Sequence, residues 1–281
     1  IDDAATYRTG VVTGMTQTMH TGSVLVTPQK FAFHRQNGKL VLDGATLLNT
    51  ADEAYFNYIA FSNAAVVASA SGDLRAGGVA SPVWNVGGTG MSSLEGDVKL
   101  VAIANAPSLT SLTIDVAEVA EGTDFLVTGD IVDLQASNIG YLVKTGAGTM
   151  QLDGAVKSTG GALSVAEGTL LLGVSSDAHT DFSLDGGTLA AAAGTTHTAG
   201  TLAVTAASSL EIASGATLTF ADLEVSSGAT LNATVPGKTN LKVSAALSAE
   251  VLSRIRINGE RARQDADGYL RRNCGLVISF H

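Results

Sequence analysis

In the second half of the chain, apolar residues recur in pairs two positions apart. Met150/Leu152, Leu163/Val165, Leu170/Leu172, Leu202/Val204, Leu210/Ile212, Leu218/Phe220 and Leu223/Val225 each follow a glycine or lie one strand beyond it. A period of two places one residue toward a core and its neighbour toward solvent, which is the signature of a β-strand. The glycines recur as well. ASGATLTF (213–220) is echoed by SSGATLNA (226–233), so Gly215 and Gly228 stand 13 apart, as do Gly148/Gly161 and Gly187/Gly200. Short strands bounded by Gly, Asp or Ser at such intervals predict a coiled stack more than a sandwich. A strand of four or five residues cannot bury its apolar side alone, but coils spaced about 4.8 Å apart pair every strand with the next. The expected fold class is therefore all-β, a single-stranded right-handed parallel β-helix or β-solenoid. At about 22–26 residues per coil it would hold on the order of 11–13 coils.

The organisation reads as one continuous domain with three parts. Residues 1–140 alternate less regularly and hold Phe31, Phe33, Tyr55, Phe56, Tyr58, Phe61 and Trp84, so thicker packing or a lateral loop is expected there. Residues 141–247 form the regular glycine-rich repeats. Between Leu142 and Gly268 the only aromatics are Phe182 and Phe220, as a narrow interior requires. Residues 248–281 change character: Ser248–Ser253 suits a short helix, and Asn258-Gly259 is a hairpin signal. An open solenoid end exposes strand edges, and this charged segment fits a cap.

Composition sharpens the picture. Charged residues are 15% of the 281, against the usual share of about 25%, and aromatics are 5%. The net charge of −10 disfavours nucleic acid and anionic membranes as partners. The arginines 254, 256, 261, 263, 271 and 272 alternate with acids and read as a mixed-charge surface. Cys274 is the only cysteine, so no disulfide forms within the chain. No run of about 18 uninterrupted apolar residues is present, so no transmembrane helix is expected. The opening IDDAATYRTG has no basic or apolar leader, which suits a mature exported product or a trimmed chain.

The stretch LVKTGAGTMQLDGAVKSTGGALSVAEGTLLLG (142–173) resembles the autotransporter-associated β-strand repeat of Gram-negative surface and secreted proteins. Lys144, Gly146, Gly148, Met150, Leu152 and Gly154 match its opening, with Met in place of one Leu. Gly160, Gly161, Gly168, Leu170 and Gly173 match the remainder, while Val156 and Ser158 stand at positions where the repeat carries Asn and Tyr. The resemblance implies a β-helical passenger at the cell surface or secreted. It also implies a following membrane barrel with strands about 10 residues long and aromatic girdles. Nothing of that kind stands in these residues, so a passenger region alone, or a repeat protein exported by another route, is expected.

Candidate chemistry is sparse. Gly146-Ala147-Gly148 lacks the third glycine and the following helix of a dinucleotide loop, so its glycines read as corners and no cofactor is expected. In SSDAHTDFSLDGG, Asp177, His179 and Asp181 alternate, so a strand would project all three on one side as a candidate cation site. His197, in GTTHTAG, reads as a turn or outward residue. A β-helical polysaccharide lyase or hydrolase needs converging acids with a basic partner, yet no arginine lies between Arg75 and Arg254. Asp130/Asp133 and Asp115/Glu118 are not spaced as a pair. The expected function is a non-enzymatic extracellular rod for adhesin-like surface display. Its partners would be copies of itself or a host or surface ligand, protein or glycan. The alternatives are a self-assembling fibre or matrix subunit joined through open β-edges, and a polysaccharide-binding or -degrading β-helix.

Overall fold

The protein is described by a computed structural model covering residues 16–27, 31–33, 38–50, 53–70, 73–76, 81–100, 111–119, 121–133, 141–157, 162–177 and 179–273. Gly160, Gly161 and Cys274 lie outside the described residues.

The chain winds into a parallel β-solenoid whose first sheet stacks 11 strands, one per turn, with almost no helix. Each turn contributes a strand to a first sheet that begins with Thr16–Met19, Lys39–Asp43, Tyr58–Ser62 and Val83–Gly87. The next segment of the turn joins a second sheet, which begins with Val24–Thr27, Thr46–Asn49 and Val66–Ser69. A third sheet closes the cross-section, from Phe31–Phe33 to Val156–Lys157. Beyond Lys157 this third side continues through single contacts, Thr180 N–H to Val156 C=O (2.9 Å) and Thr198 N–H to Ser176 C=O (2.9 Å). It then merges into the nine-residue strands Thr196–Val204 and Thr217–Val225.

Coil length varies more than the sequence predicted. Paired residues lie 19 apart at Lys39↔Tyr58 but 30 apart at Ser111↔Tyr141. Two such long coils are offset by short ones such as Leu163↔Phe182, and the 11 stacked strands of the first sheet fall at the lower end of the expected number of coils. At about 4.8 Å per turn the stack rises about 50 Å.

The register puts inward residues in columns. Leu40, Ile59, Trp84, Ile114 and Lys144 succeed one another across the first sheet, all buried. Leu163, Phe182 and Leu202 form another buried run. One apolar cluster runs from Leu40 to Leu270. Bulk is placed as expected in the earlier coils, where Phe61 and Phe125 meet with ring centroids 5.0 Å apart. Residues 16–133 build the same coils as the later ones.

The parallel stack ends at Ile255–Ile257, which pairs in parallel with Leu231–Thr234. The chain then reverses through Asn258-Gly259, and Glu260–Gln264 and Leu270–Arg272 add antiparallel strands. Asn258 takes positive φ (+50°), and its amide accepts from Val235 N–H (2.9 Å) and donates to Val235 C=O (2.8 Å). A short helix, Ala249–Ser253, lies before this cap; the Ser248 hydroxyl accepts from Val251 N–H. Both capping features match the sequence reading.

Candidate functional site

The proposed cation site at Asp177, His179 and Asp181 does not form. These residues are not on a regular strand, and their side chains diverge: Asp177 and Asp181 are exposed, whereas His179 is buried. One Asp181 oxygen accepts from Thr201 N–H at 2.6 Å, tying it to the next coil. No group of three or more His, Cys, Asp or Glu suited to a metal ion occurs among the described residues.

His179 instead meets His197 inside the solenoid. The strand Thr196–Val204 alternates so that His197 points inward, fully buried, which corrects the outward reading. Val156 N–H donates to His179 Nδ1 (3.4 Å), His179 Nε2 faces His197 Nδ1 at 3.3 Å, and His197 Nε2 faces Thr195 Oγ1 at 2.8 Å. Thr195 Oγ1 in turn lies 2.7 Å from Ala192 C=O. A backbone N–H can only donate and a carbonyl can only accept, so the two ends assign the direction between them. His179 Nδ1 accepts, its Nε2–H donates to His197 Nδ1, and His197 Nε2–H donates to Thr195, whose hydroxyl donates to Ala192. Both rings are neutral with fixed tautomers. Burial, with His197 adding to it and Asp130 opposing, draws His179 down to about 4. Burial also lowers His197.

The repeat residues make a second buried polar centre. Lys144 is fully buried, and its ammonium donates to the carbonyls of Thr145 (3.1 Å), Gly146 and Glu167 (2.9 Å). Its three N–H bonds are thereby matched by three acceptors. Burial pulls its pKa down to about 8, against the opposing charges of Glu167, Asp115 and Asp124. The GAG segment is the corner around this cage, as read from sequence. Gly168 has φ +62°, and a Cβ there would collide with the Lys144 Nζ, Gly146 O and Gly148 O atoms. Gly154 stacks on Gly129 and Gly129 on Gly96 at the corner between second and third sheets, where a Cβ would enter the backbone of the preceding coil. Met150, Leu152 and Leu170 are buried core residues, and a Cβ at Gly173 would strike the Asp153 carboxylate.

The carboxylates are used structurally. Buried Asp124 accepts from Val119 N–H (2.9 Å) and Thr149 N–H (2.7 Å), closing a loop and bridging coils. Asp130 accepts from Ala155 N–H (2.7 Å) and pairs with Lys157, contacts that hold its carboxyl below the ordinary range despite the opposing effect of burial. Asp115 accepts from the Thr145 hydroxyl (3.0 Å). On the third sheet, Asp73 pairs with Arg75 (3.0 Å) and Lys99 (2.8 Å). Each acid is bound to its own coil or the adjacent one.

Sequence reasoning missed the His179–His197 pairing and the burial of Lys144. The available signal was spacing: His179 and His197 lie 18 apart, within a residue or two of one coil. Comparison with protein-family models, curated proteins and solved structures finds no match.

Proposed function

We propose that this chain is a non-enzymatic structural rod of the extracellular space, displaying its faces as an adhesin-like surface passenger. The observation that carries the reading is the use of its polar groups. Lys144, Asp124, Asp130, His179 and His197 each bond from one coil to the next, stiffening a cylinder instead of converging on a cleft. The cap at residues 255–272 supports a rod that ends, because its antiparallel hairpin occupies the edge of the second sheet where the next coil's strand would add. The placement at a Gram-negative surface rests on the likeness of residues 142–173 to the autotransporter-associated repeat.

Negative-stain imaging of the purified chain is expected to show separate short rods, with no product released from acidic polysaccharides. Filaments would favour the fibre reading, for which Val24 and Val26 speak. These are exposed apolar side chains (64% and 48%) on the outermost described strand of the second sheet. Release of unsaturated or reducing sugar would overturn the non-enzymatic reading in favour of a carbohydrate-active β-helix.

A further inference from the structure

Among the described residues, the last long strand of the first sheet is covered along only half its length. Thr217–Val225 pairs with Thr196–Val204 from Thr217↔Thr196 to Val225↔Val204, but its other edge meets Leu241–Val243 only through Leu218–Phe220. After Ala245 N–H bonds Ala221 C=O (2.9 Å), the chain departs toward the short helix. Between the free half-edge and that helix lies a groove of about 320 Å³, with Leu223 and Val225 on one wall and Leu247 and Val251 on the other.

The backbone direction follows from one bond. Ser226 N–H donates to Val204 C=O (2.9 Å), so strand alternation turns the N–H and C=O of Leu223 and Val225 away from that neighbour, into the groove. Leu223 N–H is held by the Asp222 carboxylate (2.7 Å), and Val225 C=O by Arg254 (2.9 Å). The Leu223 carbonyl and the Val225 N–H remain directed at the groove, as a strand adding to the edge would need them. The rim charge selects the occupant. Arg254 is committed to Glu250 (2.7 Å), leaving Asp222 and Glu224 as the charges bordering the edge. A second copy, itself at −10, would bring like charge to an acidic rim.

We propose that the edge Asp222–Val225 docks an extended peptide bearing lysine or arginine, which adds as a strand to the first sheet and seats apolar side chains against Leu247 and Val251. This inference does not depend on the surface-display reading. The test titrates the full chain with acetyl-Val-Lys-Val-Lys-Val-Lys-amide and with its Glu-for-Lys counterpart, reading amide chemical shifts. Saturable binding of the lysine peptide is expected, with shifts confined to residues 222–226 and 247–251. Glu224→Lys, an exposed change, should weaken it about tenfold. Val225→Pro should abolish it, because it deletes the groove-facing N–H while sparing the bonds to the neighbouring strand; circular dichroism checks that both variants remain folded. No shifts at millimolar peptide, equal binding of the glutamate peptide, or binding unaffected by both variants would each overturn the proposal. Self-association of the free chain that Val225→Pro abolishes would overturn it in favour of a second copy.

Discussion

His179 Nε2 and His197 Nδ1 lie 3.3 Å apart in the solenoid interior, one ring on each of two successive coils. The run of contacts from Val156 to Thr195 works only while both rings are neutral, since a proton on His197 Nδ1 would point at the Nε2–H of His179 and one on His179 Nδ1 at the Val156 N–H. Asp130 is the one carboxylate whose charge acts on the pair, and it does not offset burial.

Stability should therefore fall in mild acid. The unfolded chain takes up protons at each histidine near 6.5, whereas folded His179 resists until about 4. Because the unfolded state binds more protons in that window, the contribution is complete above about 6.5 and is lost as pH falls toward 4. For His179 this amounts to roughly 3 kcal/mol. Urea midpoints measured from pH 7 to 4.5 should drop, and His179→Gln should flatten the slope. An unchanged slope in that variant would refute the assignment.

Lys144→Met should destabilise the protein by about 3 kcal/mol. Burying an ammonium is unfavourable, as its lowered pKa records, but its removal orphans three inward carbonyls at about 1–3 kcal/mol each. The carbonyl loss is the larger effect. Chemical denaturation of the variant checks this, and a gain in stability would show that the desolvation cost dominates.

Gly168→Ala and Gly228→Ala separate backbone conformation from crowding. Both positions have positive φ, +62° and +86°, but only at Gly168 does the added Cβ meet atoms, those of the Lys144 cage. Gly228→Ala should cost about 1–2 kcal/mol from conformation alone. Gly168→Ala should cost clearly more, with thermal unfolding as the readout.

Asn258→Ala removes both side-chain bonds to Val235 and leaves a non-glycine, non-asparagine residue at φ +50°. A loss of about 2 kcal/mol is expected. The variant should also associate more readily as the hairpin loosens over the stack, measurable by sedimentation.

Much of this architecture was legible in the chain. The apolar pairs Met150/Leu152 and Leu170/Leu172 report strands because burial on one side forces a period of two. Asn258-Gly259 reports a hairpin because its backbone conformation suits few other residues. Coil length was harder to read, since the number of residues between strands can change without altering the strands, as the steps of 19 at Lys39↔Tyr58 and 30 at Ser111↔Tyr141 show. The interior polar contacts were harder still. Lys144 looks like any repeat lysine until Glu167, 23 residues later, is stacked beneath it. His179 alternates with two aspartates, yet an irregular corner turns it inward, and local periodicity does not describe corners.

Each coil is held only by the coils on either side, and the Lys144 cage fastens one such junction with a bond from Lys144 to Glu167. Under tension applied along the axis, the molecule would peel winding by winding, and the cage would act as a ratchet stop midway along the thread. Mechanical toughness would then be set by such clasps, the Lys144 cage with the Asp124 and Asp130 bridges and the histidine pair, and not by the average strength of the stack.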